Sequence, residues 1–180
     1  RGLWDVYKRQ KQENSTELLV KFVLVVILTE KDQSEPRKLD MKILGIGNAI
    51  VDVICKVDEK FIEKNKLTKG TMKLIFDDKE FHSMMTDLKI EKTISGGSVA
   101  NSIVGLSQLG NEVGFIGKIS DDDLGAKYEN GLKSENVQYF YLKKKEELPT
   151  GTCLILVTPD SERTMCTFLG TAGKINENDV

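Results

Sequence analysis

A single histidine, His82, leaves no second imidazole with which to build a hydrolytic triad or a His-rich metal centre. It sits in "DDKEFHSMM", a helical stretch where a partly exposed structural role fits. Cysteine is scarce as well. Cys55, Cys153 and Cys166 are odd in number and lack C-x-x-C spacing, which argues against a disulfide framework and a thiolate zinc site. They read as packing residues, in keeping with a reducing cytoplasm. Charge of one sign is also missing: 26 Lys plus Arg stand against 28 Asp plus Glu, a net charge of −2, so nothing draws the chain as a whole to nucleic acid or an anionic membrane. The apolar run "FVLVVIL", Phe22 to Leu28, falls well short of the roughly 18 to 20 residues that span a bilayer. Thr29, Glu30, Lys31 and Asp32 follow it where a signal peptide would place small residues.

What is present suits one ordinary core. The chain has 180 residues, 39% hydrophobic and 30% charged, with no low-complexity segment. Its first forty residues stand apart: "RGLWDVYKRQKQENST" has no sustained period, and "DVYKRQ" resembles translated adapter read-through. Residues 1–40 are therefore expected to be a non-native or untranslated leader, with Met41 as the biological start.

From Met41 strand and helix patterns alternate. "KILGIG", "VDVICKV", "TMKLIF" and "KTIS" read as strands, "DEKFIEKN" as a short helix, and Asp77 as the N-cap of "DKEFHSMMTDL" with Glu80 three residues on. A helix after the diglycine ends at Gly110. "EVGFIGKI" is a further strand, the cluster Asp121 to Asp123 opens the helix "LGAKYENGLKSE", and "VQYFYL", "TGTCLILVT" and "RTMCTFLG" are strands, the last two joined by the turn "PDSE". Alternation of this kind implies an α/β sheet, and the period-two pieces imply a small additional β layer.

Candidate site residues follow from that layout. In an α/β sheet the loop from a parallel strand into its helix lies at the carboxyl edge, where ligands bind. "SGGSVANS" would put Gly96, Gly97 and Asn101 there: glycine allows close approach to the backbone, and asparagine offers both a donor and an acceptor. "GNAIVD" ends the first strand at the same kind of edge, so Asn48 and Asp52 are expected to converge on this site. Asp52 can accept two hydroxyl hydrogen bonds, which suits a polyhydroxylated ligand. Arg163 by itself reads as a solvated surface residue, and "KKKEE" (143–147) as a charged loop.

Four segments in order, "GIGNAIVDVICKVD", "SGGSVANSIVGLSQLG", "VGFIGKISDDDLGAKYENGL" and "PTGTCLILVTPDSERTMCTFLGTA", resemble the ribokinase-like, PfkB-type carbohydrate kinases. The Asn-x-x-x-Asp spacing of "GNAIVD" and the "PTGTC" run are most similar to the adenosine-kinase branch, while Val99 departs from the small residue usual at that position. The resemblance covers about residues 41–180. It implies a ribokinase-like Rossmann-type sheet with flanking helices plus a small β lid. The implied reaction is ATP-dependent phosphoryl transfer, with Mg2+, to a hydroxyl of a nucleoside, adenosine first, or of a sugar. Asn48, Asp52 and Asn101 would bind that small-molecule substrate, Gly96 and Gly97 would form the hinge and contact loop, and Arg163 would face the transferred phosphate.

The family's Gly-Ala-Gly-Asp loop, which carries the general base, does not occur. "GTAGK" is no P-loop, since Phe168 and Ile175 stand where a glycine and Ser or Thr belong. Residues 41–180 are therefore expected to be the N-terminal part of a kinase domain: the acceptor half and most of the lid, inactive alone, with no metal ligands assigned. A dinucleotide oxidoreductase is disfavoured by Ile50, which replaces the third glycine of G-x-G-x-x-G. A non-catalytic sugar- or nucleoside-binding protein is the alternative, which the acceptor residues alone would satisfy. Oligomeric state is not specified, because a lid edge can pair between chains or stay covered.

Overall fold

A computed structural model describes residues 24–30, 40–142 and 144–179. Most of the leader segment lies outside these residues. Two sheets form. The first has the order β1-β2-β6-β7, from β1 (Leu24–Glu30), β2 (Asp40–Ile46), β6 (Glu112–Ile116) and β7 (Gln138–Tyr139). β2, β6 and β7 are parallel, and β1 runs antiparallel along β2. The second sheet has the order β4-β9-β8-β3-β5, from β3 (Ile50–Lys56), β4 (Met72–Ile75), β5 (Ile90–Gly96), β8 (Gly151–Val157) and β9 (Arg163–Phe168). It is mixed: β3 pairs β8 and β4 pairs β9 in parallel, while β3–β5 and β8–β9 are antiparallel.

The chain enters this second sheet twice from the first. It leaves β2, crosses at residues 47–49 into β3, and returns from β5 through Gly96 and Gly97 into a helix. It leaves again at Thr150 into β8 and returns after β9 at Leu169. Helices α1 (Glu59–Lys64) and α2 (Asp78–Thr86) belong to the first excursion, while α3 (Ser98–Gln108) packs on β2 and β6, and α4 (Asp123–Ser134) on β5 and β7. Alternation along the strands explains the layering. Val51, Val53, Cys55, Leu154, Leu156, Cys166 and Phe168 face inward and join Phe81 and Met84 of α2 in one core, together with Val99 and Ile103 of α3 and Tyr128 and Leu132 of α4. All three cysteines are buried and free.

Two local expectations are corrected. The strand read over 137–142 shrinks to Gln138–Tyr139, because its partner β6 ends at Ile116 and Tyr141 turns inward to donate its hydroxyl to Glu146, 2.7 Å away. The diglycine, expected after a parallel strand, follows β5, which is antiparallel to β3. That direction is forced, since β5 must bring the chain back to where β3 left it. The "GTAGK" segment forms a 3-10 turn, Gly170–Lys174, with Gly170, Thr171 and Ala172 buried.

Helix starts are set by side chains the sequence displays. Asp58, Asp77 and Asp122 each cap a helix, Asp77 accepting from the Glu80 amide at 2.8 Å. Replacing an N-cap aspartate with alanine leaves a first-turn amide unpaired. Asp77→Ala is expected to lower stability by about 1 kcal/mol with an unchanged denaturant slope, as read by urea unfolding.

Candidate functional site

The structure brings Asn48, Asp52, Gly96 and Gly97 together where the chain passes between the sheets. Ile50 pairs with Gly96, and Asp52 with Ile94 on one side and Cys153 on the other. The Asp52 carboxylate lies against Gly96 so closely that a Cβ built there would stand 2.3 Å from its Oδ2. With Asp52 in this rotamer, no side chain larger than hydrogen fits. Gly97 has φ +94°, and a Cβ on it would come within 2.7 Å of the Asn48 carbonyl oxygen. Gly97 is thus required by the backbone itself, and Gly96 by the present position of the Asp52 carboxylate. Behind them Tyr128 is fully buried, its hydroxyl 3.4 Å from the Gly96 carbonyl, which it meets as donor.

Asp52 is half-buried and makes no hydrogen bond or ion pair among the described residues. Burial alone pushes its carboxyl up from 3.8 to about 6. Beside it on the same sheet face, the Cys153 thiol is raised to about 11, first by burial, and accepts from the Thr167 hydroxyl at 3.3 Å. Gly97, the N-cap of α3, supplies no side-chain cap, so the first amides of this eleven-residue helix are left without one. The site therefore joins an unpaired carboxylate acceptor to unspent backbone donors, a combination that suits hydroxyl-rich ligands.

Two expected residues stand apart from this centre. Asn101 lies in the first turn of α3, exposed, with its amide nitrogen bonded to the Gly97 carbonyl at 2.9 Å. Its side chain lines a cleft of about 390 Å³ with Thr93, Ile94 and Ser95 of β5 and Lys127 and Gly131 of α4, and Asp52 is not part of that lining. Arg163 opens β9 opposite Val157 and is exposed. Thr167, which shares a level with Cys153 and Asp52, is four residues farther along β9, so Arg163 is about 13 Å from that level along the strand. The even spacing puts it on the same face as Asp52. Ile54, Ile155 and Met165 lie between them on that face, partly exposed.

Sequence reasoning missed Tyr128, Thr150 and the specific part of Asp122. Asp122 was visible only as one of three aspartates at a helix start, and Thr150 only as part of "PTGTC". Among the described residues no group of three or more His, Cys, Asp or Glu is placed to hold a metal ion, and "GTAGK" is a 3-10 turn with Gly170, Thr171 and Ala172 buried and Gly173 and Lys174 exposed. No helix among them is long and apolar enough to cross a membrane.

An inserted second sheet, a glycine pair opening a helix and a carboxylate beneath it make up the site, and comparison with known proteins supplies the family. The chain belongs to the pfkB family of carbohydrate kinases, whose model matches residues 42–180. Among solved structures it is similar to an adenosine kinase from Sinorhizobium meliloti, with 36% identity and a TM-score of 0.67 over 76% of this chain and 42% of that one. It is also similar to a probable sugar kinase from Rhizobium etli, with 33% identity and a TM-score of 0.69 over 76% of this chain and 41% of that one. A fructokinase from Escherichia coli is 40% identical over 74 residues, 41% of this chain and 24% of the fructokinase. The chain thus spans less than half the length of each.

The Asp52 carboxyl yields a test that needs no ligand. Its folded value near 6 lies above the ordinary 3.8, so the stability it contributes is complete below about pH 4 and lost as pH rises through 6. Asp52→Asn is expected to melt at a higher temperature than wild type at pH 8, by an increment that shrinks as pH falls below 6. Thermal melts across that range check it, and an increment independent of pH would show that the carboxylate is not desolvated as described.

Proposed function

We propose that the protein phosphorylates a hydroxyl of a nucleoside or sugar with ATP as donor, adenosine being the favoured acceptor, and that this chain supplies the acceptor-binding side. Family membership supports phosphoryl transfer. The observation that carries the acceptor reading is Asp52: a half-buried carboxylate without a partner among the described residues, pressed against Gly96 on the sheet face opposite the core. A carboxylate left unpaired at that cost is suited to receive two ligand hydroxyls, and the first-turn amides of α3 beside it suit ligand oxygens. The five-stranded sheet would serve as the lid. Ile54, Ile155 and Met165 give its open face an apolar strip between Asp52 and Arg163, which suits a flat base better than a bare sugar. Asn48 would support the loop through its carbonyl against Gly97, Asn101 would bind at the edge of the same site, and Arg163 would meet the transferred phosphate once the sheet closes. ATP supplies the phosphoryl group and Mg2+ would accompany it. No step is assigned to either on the described residues. The chain lacks a Gly-Ala-Gly-Asp loop, so on this reading it binds an acceptor without turning it over. A cytoplasmic location accords with the three free, buried cysteines.

Calorimetry with adenosine, other nucleosides, ribose and fructose, paired with transfer of labelled phosphate from ATP by the full-length protein, tests this. Asp52→Ala should weaken acceptor binding about 10- to 150-fold, the range for a charge-assisted hydrogen bond, with ATP affinity unchanged. Binding of an acceptor without any phosphate transfer would leave a non-catalytic binding protein instead. Arg163→Ala should lower kcat while acceptor affinity stays within about threefold. An unchanged kcat would return Arg163 to the solvated surface.

A further inference from the structure

The chain crosses between the two sheets in four places, and among the described residues the third is tied by a network of short side-chain bonds to one carboxylate. Thr150, 1% exposed, precedes β8. Its backbone amide donates to Asp122 Oδ2 at 2.9 Å and its hydroxyl donates to Asp122 Oδ1 at 2.7 Å, while the hydroxyl oxygen accepts from the Ser120 amide at 3.0 Å. Asp122 Oδ1 also accepts from the Gly125 amide at 2.7 Å and so caps α4. One carboxylate therefore holds the start of a core helix and the start of a strand of the other sheet at once. The next residues carry this outward. Pro149 accepts from the Thr171 amide at 2.9 Å, tying in the fourth crossing, and β8 then runs in parallel register with β3, Gly151 opposite Ile50 and Cys153 opposite Asp52.

By contrast, the crossing into β3 is held by backbone bonds such as Gly47 to Ile116, and the one out of β5 by two neutral contacts, Ser95 donating to the Tyr128 carbonyl at 3.1 Å and the longer Tyr128 contact to Gly96. Hydrogen bonds to an ionised group are short and strong, and Thr150 is removed from competing water. We infer that Asp122 and Thr150 are positioning residues: together they form the fixed point that holds the five-stranded sheet to the core and sets the height of β3, and with it Asp52, over the acceptor. This rests on the acceptor reading only for its consequence in binding. The latch itself is a property of the fold.

Asparagine caps helices as well as aspartate, so Asp122→Asn keeps the α4 cap while turning a donor toward the Thr150 amide. Thr150→Val removes the hydroxyl at nearly constant shape, and Thr150→Ser keeps it. In the full-length protein, amide hydrogen exchange of β3 and β8 is expected to speed up tenfold or more in Asp122→Asn and Thr150→Val, with β2 and β6 unchanged, and to stay within twofold of wild type in Thr150→Ser. Acceptor affinity should fall about tenfold in the first two, with ATP affinity constant and serine restoring it. Unchanged exchange in Asp122→Asn would reduce Asp122 to a helix cap and overturn the latch, as would equal damage from Thr150→Ser and Thr150→Val. If wild type binds no nucleoside or sugar, the acceptor reading fails while the exchange data still decide the latch.

Discussion

Everything at the candidate site depends on how closely the Gly96 backbone approaches the Asp52 carboxylate. A Cβ at 2.3 Å would displace the carboxylate, so the absence of a side chain at Gly96 is what lets Asp52 lie where it does against β5. The carboxylate is left half out of water with no partner among the described residues. Strand pairing of β3 with β5 and β8 supplies the energy that holds it there, since a desolvated charge is unfavourable alone. Stability is given up locally, and a binding group is gained.

Insertion of the second sheet turns that pair into a site. Because β3 and β5 belong to the inserted sheet while α3 belongs to the core, the diglycine is at once the end of one layer and the N-cap of the other. Asp52 is therefore carried by the inserted sheet and the α3 amides by the core. A ligand that uses both is favoured only when the two layers stand at the right separation, which is how binding would be coupled to closure. The covered 3-10 turn at Gly170–Lys174 packs Ala172 on Ile50 and Cys153 and fills the end of the open face nearest the core. Beyond it the face remains apolar and accessible toward Met165.

Most of the architecture was legible in the sequence because local signals were strong. Asp77 with Glu80 three residues on marked a helix start that the structure reproduces, and "VDVICKV" and "TGTCLILVT", read as strands, form β3 and β8. What could not be read was pairing. Nothing local says that β5 runs antiparallel to β3 or that Thr150 meets Asp122, twenty-eight residues away, because such partners are chosen by the whole layout. "VQYFYL" has the composition of a long strand and forms a short one for the same reason: its partner ends first. At the site, spacing pointed to Asp52 and the two glycines, which the fold joins. Asn101, one helical turn on, lines a cleft beside β5 whose lining omits Asp52, since spacing along a helix does not reveal which neighbour packs beside it.

The most direct measurement is the titration of the Asp52 carboxyl carbon by NMR, in the free protein and with a nucleoside or sugar bound. Without ligand the carboxyl should titrate near 6, as its burial dictates. Hydroxyl hydrogen bonds stabilise the charged form, so an acceptor that binds there should pull the value down by about one unit or more. A free carboxyl titrating near 3.8, or one that does not respond to any acceptor the protein binds, would contradict the account.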